Sequence, residues 1–172
     1  MSGVSADGSV VAGRGNSVNG NEAFRWENGL FTPLGDLPGG TFQSNSFSIS
    51  GNGQFIVGQS DSAAGLEAFL WTSENGMVGL GHLPGETTDS RARGVSGDGS
   101  IVVVGIANHG QSPELLDAFI WDQANGMQQL QSVLIADYGL RDVLAGWTLN
   151  RAMVISDDGL VIAGHGTNPS GL

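Results

Sequence analysis

Apolar and polar residues alternate along this chain in short runs, and the runs return at a regular spacing. In Ser44-Asn45-Ser46-Phe47-Ser48-Ile49-Ser50 the serines take one face and Asn45, Phe47 and Ile49 the other, the period of two of a half-buried strand. Gly51-Asn52-Gly53 then turns the chain, and Gln54 to Gly58 reads as a second strand. A loop rich in Ser, Asp and Gly leads to a third strand, Glu67 to Thr72. Asn75-Gly76 signals a hairpin, with Met77 to Leu80 as the fourth strand.

This four-strand pattern recurs about every 45–50 residues. The turn phrase appears as Val4-Ser5-Ala6-Asp7-Gly8, Ile49-Ser50-Gly51-Asn52-Gly53, Val95-Ser96-Gly97-Asp98-Gly99 and Ile155-Ser156-Asp157-Asp158-Gly159. The third-strand phrase appears as Glu22-Ala23-Phe24-Arg25-Trp26, Glu67-Ala68-Phe69-Leu70-Trp71 and Asp117-Ala118-Phe119-Ile120-Trp121. Asn-Gly follows each of these, at Asn28-Gly29, Asn75-Gly76 and Asn125-Gly126. Repeats therefore span about 3–40, 44–86, 90–134 and 150–172, within one domain covering 1–172. Four short antiparallel strands per unit predict an all-β, propeller-like array of four-stranded blades. A β-sandwich is the runner-up, but it would not carry such faithful internal copies.

The copies are incomplete at both ends. The first lacks most of its first strand, and the last stops before a third. That makes about three and a half blades per chain, too few to close a ring by the usual rules. Two chains would supply about seven blades, so a homodimer closing the ring is expected. The third repeat also drifts: apolar residues from Met127 to Asp137 fall near helical spacing and predict a short helix ending near Tyr138-Gly139.

Composition narrows the function classes. Hydrophobic residues make up 40% and charged residues 13%, which argues for a folded core despite 29 glycines. The net charge of −11 comes from 17 acids against six arginines, with no lysine. Such a chain cannot assemble the basic face that nucleic acid or an anionic membrane needs. No apolar stretch approaches the ~20 residues of a membrane span, so no membrane insertion is expected. The absence of cysteine excludes disulfides and thiolate metal sites. No Gly-x-Ser-x-Gly elbow, Walker loop or His-Glu-x-x-His is present.

The repeated phrases, with the Leu-Gly-x-Leu-Pro-Gly endings at Leu34–Gly39 and Leu80–Gly85, resemble the HAF-repeat family of bacterial repeats. The stretch from Asp137-Tyr138-Gly139 to Gly166-Thr167-Asn168-Pro169 looks like the terminal segment of such arrays. The resemblance covers nearly the whole chain and implies an extracellular or cell-surface setting, although no signal peptide precedes the first repeat. It implies no reaction. A second resemblance, to small calcium-dependent hydrolases of acyl-homoserine lactones, adds an expectation of chemistry.

Under that expectation calcium is the cofactor, because it takes six to eight oxygens and the chain is rich in carboxylates. Glu22, Glu67 and Asp117 stand at equivalent places before Ala-Phe and could form a ring of ligands, with Asp36 and Asp89 nearby. The plainer reading is that each caps a strand. His82 replaces Asp36 in the Leu-Gly-x-Leu-Pro-Gly phrase, and Glu86 follows closely. The pair His82 and Glu86 is the candidate catalytic group, activating a metal-bound water. The plainer reading is an exposed polar loop. Asp7, Asp98 and Asp158 are turn residues, where a short carboxylate accepts backbone N–H bonds. His109 and His165 read as surface histidines in loops.

Asn45, Arg91 and Arg151 align in the first strand of their repeats. If that strand is innermost, they face the centre and would steer a small neutral or weakly anionic ligand. The plainer reading is pairing with the plentiful carboxylates. Two functions follow. One is a calcium-dependent hydrolase of lactones or esters. The alternative is a non-catalytic extracellular module for binding or adhesion.

Overall fold

The computed structural model describes residues 3–83, 89–105 and 117–170. Its strands run in chain order as antiparallel units. Unit 1 comprises β1 (Gly3–Val4), β2 (Val10–Asn16), β3 (Asn21–Glu27) and β4 (Leu30–Pro33), and unit 2 comprises β5 (Gly39–Ile49), β6 (Ile56–Ser62), β7 (Gly65–Thr72) and β8 (Gly76–Gly79). Unit 3 comprises β9 (Ala92–Val95), β10 (Ile101–Gly105), β11 (Ala118–Asp122) and β12 (Gly126–Gln129). After the helix α1 (Leu130–Ala136), unit 4 has two strands, β13 (Thr148–Ile155) and β14 (Ile162–Thr167). One parallel bridge, Asn21 to Gln43, joins the sheets of units 1 and 2. The fold is all-β and multi-sheet, with a single short helix among the described residues.

The repeated turn explains why each unit begins the same way. Ser5 Oγ donates to Asp7 Oδ1 at 2.7 Å and accepts the Val10 N–H at 2.9 Å, while Asp7 Oδ1 accepts the Ser9 N–H. Ser50 with Asn52, Ser96 with Asp98 and Ser156 with Asp158 repeat the arrangement. Gly8, Gly53, Gly99 and Gly159 close these turns at φ of 72–76°, a left-handed conformation that suits glycine. Hydroxyl and N–H donors from the flanking serines pull the carboxyls of Asp7 and Asp98 down to about 2.

The turns also bind the units together. The Ala6 N–H donates to Gly51 O, Asn52 Nδ2 to Gly97 O, and the Gly97 N–H to Asp157 O, at 2.6–2.8 Å. The first strands β1, β5, β9 and β13 accordingly lie against one another in sequence. Serine supplies the matching clamp at the other end. Ser44 Oγ accepts the Ala23 N–H and donates to Gly35 O, and Ser90 Oγ does the same for Ala68 and Gly81. Each clamp ties the third strand and following loop of one unit to the first strand of the next.

The core lies between units and repeats with them. Between units 1 and 2, Ala12, Ala23 and Leu34 meet Ile49, Ile56, Phe69 and Trp71, with Met77 alongside. Between units 2 and 3, Val57, Ala68 and Leu80 meet Val95, Val102, Phe119 and Met127, with Trp121 alongside. Between units 3 and 4, Val103, Ala118 and Leu130 meet Ala152, Ile155 and Ile162. The first helical residue, Leu130, thus takes the place of Leu34 and Leu80. The helix expected from the drifting third repeat forms, and Gln131 pins it by donating to Trp147 O and accepting the Leu149 N–H.

Trp26, Trp71 and Trp121 occupy equivalent strand positions, opposite Val11, Ile56 and Val102. Trp71 is buried, whereas Trp26 and Trp121 are half-buried. In unit 2 the first strand starts earlier than the alternation suggests, at Gly39, and the second runs on to Ser62. The polar residues Gln59, Ser60 and Asp61 were read as loop, yet their backbone continues the ladder to Leu66.

Candidate functional site

Asn45, Arg91 and Arg151 each stand in the stretch that opens the first strand of a unit, one residue after Ser44, Ser90 and Asn150. Two residues further on, the strand pairing skips Phe47, Arg93 and Met153, so a bulge recurs at the same place in β5, β9 and β13. A bulge bends the strand and re-aims side chains, which brings the second set of residues toward the first. Arg93 Cζ sits 4.5 Å over the ring of Phe47. Arg14, from β2, donates to Asn45 Oδ1 at 3.0 Å. Gln59 is the cross-strand neighbour of Asn45, and the exposed His165 that of Arg151.

The electrostatics of this group are unusual for so acidic a chain. Burial, and then the charges of Arg91 and Arg151, push the Arg93 guanidinium below its ordinary value. Arg91 approaches Asp89 only at 3.7 Å. Arg91 Nε, Arg93 Nε and Gln59 Oε1 are buried without a hydrogen-bond partner among the described residues. Arg91, Arg93 and Arg151 thus share one neighbourhood, while the exposed Arg14 reaches Asn45. Like charges gathered in this way with donors to spare suit an anion with planar, multi-point acceptors, such as a carboxylate.

The other candidates lie in the loops beyond the clamp serines. Glu22 Oε1 accepts the Gly35 N–H at 3.1 Å, and Glu67 Oε1 the Gly81 N–H at 2.9 Å, so each ties the loop after the fourth strand to the third strand. Asp117, their equivalent in unit 3, is engaged as well. Asp36 is half-buried in the unit 1 loop. His82 Nε2 lies 3.3 Å from Leu66 O. Glu86 falls outside the described residues, as does His109. Among the described residues, no three His, Asp or Glu side chains are gathered where they could hold a metal. His165 lies on β14 rather than in a loop.

Sequence reasoning missed Arg93, Phe47, Gln59 and Arg14. The signal for Arg93 was present, since a period of two places it on the face of Arg91. Its alignment with the apolar Phe47 and Met153 made the position look like packing.

No protein-family model matches the chain, and no curated protein does. Solved structures do. TolB from Acinetobacter baumannii superposes with a TM-score of 0.58 at 13% identity, covering 100% of this chain and 41% of that one. A protein assigned as TolB from Agrobacterium tumefaciens superposes with a TM-score of 0.55 at 13% identity, covering 75% of this chain and 48% of that one. The chain spans less than half the length of either. The likeness establishes a propeller-like, multi-sheet all-β fold of the TolB kind. It corrects the resemblance to HAF repeats and to calcium-dependent lactonases, and the lactone or ester hydrolase built on that resemblance falls with it. The phrases that carried the resemblance are turn, clamp and interface residues, which any such repeat needs.

Proposed function

We propose that the chain is a non-catalytic binding module that takes a small anionic, carboxylate-bearing ligand at the arginines of its first strands. The observation that carries this reading is the convergence of Arg91, Arg93 and Arg151 in a chain of net charge −11, with two guanidinium nitrogens buried and unpartnered. Mutual repulsion among these cations weakens the empty site, and an incoming carboxylate relieves it while filling the vacant donors. Gln59 Oε1 adds an unpartnered acceptor on the neighbouring strand, which suits a ligand that also carries an O–H or N–H donor. Phe47 supports the Arg93 guanidinium from one side. Among the described residues no helix is long and apolar enough to cross a membrane.

Isothermal titration with citrate, a hydroxyl-bearing carboxylate, tests this at constant ionic strength. A one-to-one isotherm is expected with wild type, weakened about tenfold or more in Arg91→Gln and in Arg151→Gln, since a charge-assisted contact is worth about 1.5–3 kcal/mol. Tricarballylate, which lacks the hydroxyl, should bind more weakly, and an equal response from chloride would overturn the reading.

A further inference from the structure

Arg14 and Gln59 hold equivalent positions in the second strands of units 1 and 2. Each stands one residue past the glycine that faces a phenylalanine, opposite Ala23 and Ala68 of the third strand. β2 lies against β5, and β6 against β9. Across the first of these contacts Arg14 donates to Asn45 Oδ1 at 3.0 Å. Asn45 and Arg91 are equivalent in turn, because each follows a clamp serine. The same geometry one unit later directs Gln59 toward Arg91.

That second pair does not close. Gln59 Oε1 and Arg91 Nε are buried without a hydrogen-bond partner among the described residues, and so is Arg93 Nε. Arg93 lies two residues after Arg91 and reaches back to Phe47, whose strand β5 pairs with the β6 of Gln59. The interface of units 2 and 3 thus holds one orphaned acceptor on the earlier unit and two orphaned donors on the later. Buried polar atoms without partners are rare in native folds, and three at one interface mark a place where a bound group completes the set.

Charge selects the donor that suits Gln59. Burial first, and then Arg91 and Arg151, already push the Arg93 guanidinium below its ordinary value, and an ammonium would add a fourth cation to these three. A hydroxyl carries no charge and donates the one O–H that a lone amide oxygen accepts. Spacing selects where that hydroxyl sits. At the equivalent interface a single hydrogen bond of 3.0 Å spans the gap, so the slot suits a hydroxyl on the carbon that bears the carboxylate. We infer that this slot takes an α-hydroxycarboxylate and that Gln59 determines the specificity: the carboxylate accepts from Arg91 and Arg93, and the α-hydroxyl donates to Gln59 Oε1. This assignment rests on the carboxylate site proposed above and narrows its ligand class.

Isothermal titration of the full chain at constant ionic strength compares glutarate with glutamate and with the α- and β-hydroxy derivatives of glutarate. The α-hydroxy acid should bind at least about fivefold more tightly than glutarate, the worth of one hydrogen bond to a buried acceptor. The β-hydroxy acid should match glutarate, and glutamate should bind more weakly than glutarate. In Gln59→Leu the advantage of the α-hydroxy acid should vanish; a melting curve checks that this variant folds, and if it does not, the wild-type series decides alone. An α-hydroxyl that brings no gain, a β-hydroxyl that brings the same gain, glutamate binding as tightly as the α-hydroxy acid, or an advantage that persists in Gln59→Leu would overturn the assignment and leave the carboxylate site in place. If glutarate and all its derivatives fail to bind, the carboxylate site itself falls, and this assignment with it.

Discussion

Ser90→Ala removes a single oxygen and tests the clamp that joins units 2 and 3. Ser90 is 2% exposed, accepts the Ala68 N–H at 2.8 Å and donates to Gly81 O at 2.9 Å. Ala68 is fully buried, so water cannot replace the hydroxyl as acceptor for its N–H. A buried donor left unpaired costs about 1–3 kcal/mol, and the lost bond to the half-exposed Gly81 adds about 0.5–1.5 kcal/mol. Together these come to about 1.5–4.5 kcal/mol. Urea unfolding followed by far-UV dichroism and by tryptophan fluorescence reads it, with Trp71 and Trp121 reporting from the interfaces on either side. With a slope of about 2–3 kcal/mol per molar, the midpoint should fall by about 1 M. Ser62→Ala, which removes only surface turn bonds, should stay within about 0.5 kcal/mol of wild type. A Ser90→Ala midpoint indistinguishable from that of Ser62→Ala would refute the clamp.

Acid should weaken the fold through Asp7 and Asp98, whose folded values of about 2 lie below the ordinary aspartate value of about 4: their stabilisation is complete above about 4 and disappears as pH falls through 2. Melting temperatures from pH 6 to pH 2 should show this loss, with a shallower slope in Asp98→Asn. Gly58→Ala should destabilise by about 3 kcal/mol or more in urea, because the added methyl meets both the Asn45 carbonyl and the Phe69 ring. Arg151→Gln should raise the melting temperature of the unliganded protein, since it relieves the repulsion on Arg93; a fall would mean that Arg151 has a structural partner.

The strands were legible because their alternation is local and their turns are spelled out. Ser-x-Asp-Gly sets its own hydrogen bonds within a few residues, and Leu130 continues the place of Leu34 and Leu80 even as the chain turns helical. What escaped depends on distant parts of the chain. The hydroxyls of Ser44 and Ser90 act between units, and nothing in their neighbourhood distinguishes them from other serines. The bonds that Glu22 and Glu67 accept from glycine N–H groups 13 and 14 residues away are likewise invisible in the sequence around them. Alternation puts Arg93 on the face of Arg91, but its alignment with the apolar Phe47 and Met153 hid it, and the bulge that all three share cannot be read from alternation. Asn45, Arg91 and Arg151 were visible through alignment, but the repulsion that Arg93 meets from Arg91 and Arg151 arises only when their strands lie together.

Nitrogen-15 spectra of the arginine Nε–H groups report on that site directly. The six arginines give six signals to assign, and Arg141, in the exposed segment after α1, serves as an internal control. Titration with citrate should shift the Arg91 and Arg93 signals and slow their exchange with water, as their unpartnered Nε–H groups find an acceptor, while Arg141 stays in place. Equal small shifts at all six arginines, or no change at Arg91 and Arg93, would contradict a carboxylate site on the first strands.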